Sequence, residues 1–203
     1  MGREAVVYVV DDEPGVRAAL TRLFRSEGMA VEAYADAATF LEAHRGGAQG
    51  CLVLDVMMPG MTGIELQQQL RERAIRIPVI FLTGSADVRM AVAAMRAGAT
   101  DFLEKPFENA TLVERVRHAL HLDHETRRRA LQRSEVDRRI ATLTPREREV
   151  MELVVTGSAT RQISESLKLS PRTVEVHRAR IMEKMESATL AELVRAVLTA
   201  RDP

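Results

Sequence analysis

The sequence predicts a five-stranded, parallel, doubly wound α/β sheet over residues 1–122 and an all-α unit of four helices over residues 143–203, joined by a helical linker at 123–142. Three observations predict this. Short apolar runs rich in Val, Ile and Leu, bounded by polar turns, recur through the first part, as strands buried on both faces do. Segments of helical period separate them, and β-α alternation implies a parallel sheet with right-handed crossovers. Past Leu143 the strand-like runs give way to a succession of helix starts.

The elements follow in order. Val6-Val7-Tyr8-Val9-Val10 reads as the first strand, halted by Asp11-Asp12, and residues 16–26 as the first helix. Residues 30–34 supply the second strand. Cys51-Leu52-Val53-Leu54 is the third, ending on Asp55, with a helix over 64–73 behind it. Val79-Ile80-Phe81-Leu82 runs into Thr83-Gly84, followed by a helix over 88–97. Phe102-Leu103 is the last strand, just before Lys105-Pro106, a step that admits a cis bond. Leu112, Val116, Ala119 and Leu120 continue a helical stripe to Leu122.

Composition narrows the function classes. The chain has 203 residues with 29 basic and 29 acidic side chains, but unevenly placed. Residues 1–122 hold 13 Lys and Arg against 16 Asp and Glu, whereas 168–184 hold 5 against 2. An acidic part followed by a locally basic one suggests a regulatory module joined to a polyanion binder. Cys51 is the only cysteine, so no internal disulfide forms and a reducing compartment is expected; inside a strand it reads as a small apolar side chain. No run approaches the roughly 18 apolar residues of a membrane span, and the start lacks a signal-peptide core. A soluble cytoplasmic protein is expected, with no membrane partner.

In open α/β sheets, ligands bind beyond the carboxyl ends of the strands, where strand order reverses. There the sequence places three carboxylates (Asp11, Asp12, Asp55), the hydroxyl of Thr83 and the ammonium of Lys105. Hard oxygen ligands suit Mg²⁺, a backbone carbonyl just past Asp55 can complete the protein's share, and Lys105 and Thr83 suit phosphoryl oxygens. Asp55 is then the nucleophile, since carboxylates form aspartyl phosphates. Each residue also admits a plainer role: Asp12 before Glu13-Pro14 as a helix N-cap, Asp55 capping a turn, Lys105 as a solvated cation.

The acidic pair, Asp55 with Met58-Pro59-Gly60, Thr83, Phe102 and Lys105-Pro106 resemble the receiver domain of bacterial two-component response regulators, a flavodoxin-like fold. The resemblance implies that Asp12, Asp55 and the Met57 carbonyl bind Mg²⁺ or Mn²⁺, with Asp11 acting through water. It implies phosphorylation of Asp55 by a sensor histidine kinase, with Thr83, Lys105 and the switch aromatic Phe102 responding. Met57 stands where a polar residue is common in the family. An apolar side chain there cannot order an attacking water, so slow loss of the phosphoryl group is expected. It also argues against a phosphatase, which wants a second acid at that position. A protein-interaction module that works without phosphorylation is the other rival, and the intact site residues argue against it.

The linker run Asp123-His124-Glu125-Thr126-Arg127-Arg128-Arg129 holds no apolar residue and reads as an exposed helix with a solvated arginine face. His118, His121 and His124 recur every third residue without a thiol or carboxylate partner, and are not read as a metal site. Thr144-Pro145-Arg146-Glu147 is a capping box opening a helix that buries Val150, Met151, Leu153 and Val154 and stops near Gly157. A short helix with Ile163 and Leu167 follows. Ser170-Pro171 caps the next, with an inner stripe of Val174, His177, Ile181 and Met185. Thr189-Leu190-Ala191-Glu192 opens the last, with Leu190, Leu193, Val194, Val197 and Leu198 inward.

The third of these helices carries Arg172, Thr173, Glu175, Val176, Arg178, Arg180 and Lys184, the layout of a helix-turn-helix recognition element. Cations meet phosphates and guanines, Thr173 and Val176 suit a thymine methyl, and Glu175 suits a cytosine amino group. This part resembles the LuxR-type DNA-binding domain, in the FixJ-like branch of the NarL/FixJ class, through residues 143–150, Gly157, Ile163, Leu167, residues 170–178 and Lys184-Met185. Arg161 replaces the usual Lys and still offers a phosphate contact; Ser164 replaces the usual Ala. Together the resemblances imply a regulator rather than an enzyme, which catalyses only its own phosphoryl transfer and slow dephosphorylation. Its expected partners are promoter DNA, RNA polymerase and a second copy paired through residues 87–98 and 100–103, with Met90, Ala91, Met95 and Phe102. Transcriptional activation is expected.

Overall fold

The computed structural model describes residues 5–44, 48–84, 95 and 98–201. Two compact units divide at Thr126 and Arg127. The first contains strands β1 (Val6–Val10), β2 (Ala30–Tyr34), β3 (Gly50–Asp55), β4 (Val79–Thr83) and β5 (Asp101–Glu104). They form one sheet in the order β2-β1-β3-β4-β5, every pair parallel. Helices α1 (Pro14–Ser26), α2 (Ala37–Ala43), α3 (Gly63–Glu72) and the first part of α4 (Asn109–Ala141) accompany it. The predicted helix over 88–97 lies outside the described residues, apart from Met95.

Alternation along the strands supplies two cores. Tyr8, Val10, Leu52, Leu54 and Phe81 pack with Phe40 of α2 and Leu66 and Leu70 of α3. Val7, Val9, Cys51, Val53, Ile80 and Leu82 pack with Leu20 and Phe24 of α1 and Leu112, Val113 and Val116 of α4. All six residues of β3 are buried, which explains its unbroken apolar run. Cys51 is buried as expected, and burial pushes its thiol pKa up.

Several helix starts were hidden in local polar chemistry. α1 begins at Pro14, whose fixed φ suits a first helical position, two residues before the apolar pattern shows. α2 was not anticipated; Asp36 caps it by accepting the Thr39 N–H at 2.8 Å. α3 opens on a capping box between Thr62 and Glu65.

The run after Leu122 is helical, but it is not uniformly solvated. Asp123 is buried, and its carboxylate accepts the Gly50 N–H at 2.9 Å. Gly50 has φ +132°, and a Cβ there would stand 1.9 Å from the Val6 carbonyl oxygen, so only glycine fits.

The second unit comprises the rest of α4 with α5 (Pro145–Val155), α6 (Thr160–Leu167), α7 (Pro171–Lys184) and α8 (Leu190–Arg201). Its core joins Val150, Met151, Val154, Ile163, Val174, Ile181, Met185, Leu193 and Val197, with Val136 and Ile140 against it. The inward stripes were drawn too wide. Leu153, His177 and Val194 are half-buried, while Leu190 and Leu198 are exposed. On α8 only Leu193, Val197 and Ala200 are buried, a single narrow face. No described helix is long and apolar enough to cross a membrane.

Candidate functional site

Four of the five strand ends deliver a side chain to the carboxyl edge of the sheet. Asp11 follows β1, Asp55 ends β3, Thr83 ends β4 and Lys105 follows β5. Asp11, Asp55 and Thr83 are buried, at 1, 7 and 1% exposure. The Lys105 Nζ donates to Asp55 Oδ1 at 2.7 Å and to Asp11 Oδ2 at 3.0 Å. Burial alone pulls the ammonium's pKa down, but the hydrogen bonds to Asp55 and Asp11 outweigh it, and the net shift is upward. One cation therefore stands between two buried anions, leaving the cluster one negative charge in excess.

The backbone around this group holds it open. Asp55 Oδ2 accepts the Met57 N–H at 2.7 Å, and Asp11 Oδ1 accepts the Glu13 N–H at 2.9 Å. Lys105 is itself anchored by its N–H on the Thr83 carbonyl at 2.7 Å, and the bond to Pro106 is cis. Gly63 was missed by sequence reasoning. Its N–H donates to the Val56 carbonyl at 3.0 Å, and a Cβ there would lie 2.2 Å from the Asp55 carbonyl oxygen. A glycine opening a helix, where alanine is intrinsically better, was the available signal.

Not every expected residue joins the group. Asp12 is exposed and is not in this hydrogen-bonded cluster. Nor does it cap α1: Glu13 is the N-cap residue, without a side-chain cap bond. Met57 is 64% exposed, two residues after Asp55. Phe102 is half-buried and packs on the core that contains Phe81, its register partner in β4.

The donor set suits a hard divalent cation. Asp11 and Asp55 converge closely enough to share one ammonium, and their excess charge is negative. Among the described residues no three His, Cys, Asp or Glu side chains are grouped as a metal site, so these two carboxylates fit only part of a Mg²⁺ or Mn²⁺ shell on chemical grounds.

In the second unit, α6, a tight turn and α7 form the helix-turn-helix. Lys168 ends α6 in the left-handed region at φ 54°, and Ser170 caps α7 by accepting the Thr173 N–H at 3.1 Å. Arg172, Val176 and Arg180 are exposed on α7, and Arg161 is exposed on α6 in an ion pair with Glu165 at 3.0 Å. Glu175 accepts the Thr160 hydroxyl at 2.7 Å, and Arg178 donates to that same oxygen at 3.1 Å, joining the two helices. Ser164, buried in the helix contact, is satisfied by donating to the Thr160 carbonyl at 2.9 Å.

Lys184, expected on the DNA-facing side, makes an ion pair within the unit. Its Nζ lies 2.6 Å from Glu147 Oε2, a nearly fully buried carboxylate, and reaches the Thr142 carbonyl at 3.3 Å. The hydrogen bond to Lys184, followed by the Thr144 N–H, lowers the Glu147 pKa from 4.5 to about 2. The end of the recognition helix is thereby tied to the capping box that begins α5.

Comparison with known proteins gives this geometry a context. Residues 7–117 match the response regulator receiver domain, and residues 141–197 match the bacterial regulatory proteins of the luxR family. The transcriptional regulatory protein FixJ of Azorhizobium caulinodans is 48% identical over 96% of this chain and 92% of its own length. The response regulator protein TodT of Pseudomonas putida is 40% identical over 98% and 88%. Among solved structures, the response regulator StyR has a TM-score of 0.85 at 42% identity, covering 96% of this chain and 98% of that one. Full-length FixJ from B. japonicum has a TM-score of 0.61 at 39% identity, covering 98% of both chains. With the strand-end cluster in one unit and the helix-turn-helix in the other, the chain belongs to the two-component response regulators that join a receiver domain to a LuxR-type DNA-binding domain and regulate transcription.

Proposed function

We propose that a sensor histidine kinase phosphorylates Asp55, and that the modification makes two copies of the chain pair and bind promoter DNA. The observation that carries this reading is the Lys105 ammonium held between Asp55 and Asp11 at 2.7 and 3.0 Å. An Asp55 oxygen attacks phosphorus, the bond from phosphorus to the donor imidazole breaks, and the imidazole leaves with its electron pair to take a proton. Asp12, Asp55, the Met57 carbonyl and Asp11 would hold Mg²⁺ or Mn²⁺, which would neutralise charge on the transferring group. Lys105 and the Thr83 hydroxyl then face phosphoryl oxygens in place of a bare carboxylate. Phe102, half-buried beside β4, turns inward as Thr83 moves, a local charge change biasing a two-state element.

Pairing runs through residues 87–98 and 100–103. Of the named apolar contacts, Met90 and Ala91 lie outside the described residues; Met95 is 49% exposed. The paired recognition helices reach half-sites spaced by a DNA turn or a multiple. Arg161, Arg172 and Arg180 supply phosphate and guanine contacts, and Thr173 and Val176 supply apolar ones. Arg178, Glu175 and Lys184 act by fixing the recognition helix. RNA polymerase recruited beside the bound pair gives activation.

Acetyl phosphate with Mg²⁺ is expected to add one phosphoryl group to the wild type and none to Asp55→Asn, read by intact mass. Phosphorylation should raise DNA affinity by roughly ten- to a hundredfold, a coupling of ordinary allosteric size. An Asp55→Asn protein that pairs and binds DNA as well as the phosphorylated wild type would overturn the proposal.

The exposed, apolar Met57 predicts a long-lived phosphorylated state, because it presents no hydrogen-bonding atom from its side chain to a water beside Asp55. Met57→Asn is expected to lose the phosphoryl group about ten times faster, a modest acid–base contribution. Equal decay rates in the two proteins would refute it.

A further inference from the structure

In the DNA-binding unit, one hydroxyl joins the two helices of the helix-turn-helix. Thr160 opens α6, and its Oγ1 donates to Glu175 Oε1 at 2.7 Å while accepting from Arg178 at 3.1 Å. A guanidinium only donates and a hydroxyl has a single hydrogen, so the bond from Arg178 leaves that hydrogen for Glu175. The direction of the bonds is therefore fixed, from Arg178 through Thr160 to one carboxylate oxygen. The Glu175 side chain is 60% exposed, and its Oε2 makes no hydrogen bond or ion pair among the described residues. The carboxylate is half committed, with Oε1 held and Oε2 left for a partner outside the protein.

Glu175 lies on the outward face of the recognition helix. Arg172, Glu175, Val176, Ala179 and Arg180 are exposed and spaced as one stripe of α7, opposite the buried Val174 and Ile181. Val176 and Ala179 are small, so the helix can come close to base edges beside Glu175. The arginines of the stripe suit phosphates and guanines; a carboxylate among them suits neither. In the major groove only cytosine N4 and adenine N6 offer hydrogens, whereas guanine and thymine present acceptors and a methyl group. Adenine sets its N7 acceptor beside N6, which repels a carboxylate; cytosine has only a C–H next to N4.

We propose that Glu175 selects a cytosine in each half-site, and that Thr160 is the positioning residue that sets this choice. Oε2 accepts from the cytosine amino group, while the Thr160 hydroxyl holds Oε1 and stops the carboxylate from turning onto Arg178. Arg178 offsets part of the carboxylate charge as the helix nears the phosphates. One side chain thus serves twice, tying α7 to α6 and reading a base. This base choice presupposes the DNA contacts proposed above but not the phosphoryl switch, because preference is read within the bound DNA, whether or not acetyl phosphate raises its amount.

Random-sequence duplexes selected by the full-length protein, with and without acetyl phosphate and Mg²⁺, and then sequenced, measure the preference. The wild type should favour cytosine over guanine or thymine about tenfold at one position of each half-site, the ordinary size of a good base contact. Glu175→Ala, an exposed change, should lose that preference and keep those at the other positions. Thr160→Val should reduce it to about threefold, the share of one hydrogen bond, and Thr160→Ser, which keeps the hydroxyl, should retain it in full. No cytosine-selecting position, an unchanged preference in Glu175→Ala, or full selectivity in Thr160→Val would each overturn the proposal. So would an equal loss at every position in either variant, the mark of a packing role alone.

Discussion

Lys105→Met is expected to destabilise the receiver by about 2 kcal/mol at neutral pH and to abolish the response of DNA binding to phosphorylation. The stability loss follows from leaving Asp55 and Asp11 as neighbouring buried anions without their shared cation. The value stands below the 3–5 kcal/mol of a fully buried pair because the lysine side chain keeps 22% of its exposure. Tyr8 and Tyr34 are the only tyrosines, there is no tryptophan, and both lie in the first unit. Urea unfolding followed by tyrosine fluorescence therefore reports the receiver alone. A variant as stable as the wild type at pH 7 would show that the ammonium does not neutralise the pair.

The second large effect falls on the DNA-binding unit. Glu147→Gln should cost about 2 kcal/mol, because it leaves the Lys184 ammonium, one-third exposed, beside a neutral amide and weakens the capping box. Replacing both partners by apolar residues, Glu147→Leu with Lys184→Met, should recover most of the pairing loss, though not the cap. A carboxyl held at about 2 instead of 4.5 contributes its full stability above pH 4.5 and loses it as pH falls toward 2. Far-UV circular dichroism should show this acid-sensitive helical transition in the wild type and lose it in Glu147→Gln, with the tyrosine signal unmoved. A Glu147→Gln protein as stable as the wild type at pH 7 and pH 3 alike would remove the ion pair from the account.

The sheet and the strand-end cluster were readable from sequence because both rest on short-range pattern. An apolar run ending in Asp, Thr or Lys declares strand and edge together, and parallel topology sends those ends to one side. Capping boxes were equally local, as at Thr144 and Glu147. What escaped were pairings between residues distant in sequence. Lys184 reads as one more cation on a basic helix until the fold brings it to Glu147, and Asp123 reads as solvated until Gly50 is beneath it. Gly63 escaped differently: its need for no side chain comes from the Asp55 carbonyl, which a linear pattern does not display. Asp12 shows the converse. Its neighbour in sequence, Asp11, turns into the interior, so the adjacent side chain of an extended strand end points the other way.

Strand β3 is only six residues long, yet Asp55 is its last residue and Gly50, moored to Asp123, is its first. The rod that bears one of the clustered carboxylates at its tip has the outgoing helix bolted to its foot. Both attachments are borne by one fully buried strand at the centre of the sheet, whose amides are expected to trade their protons with solvent slowly.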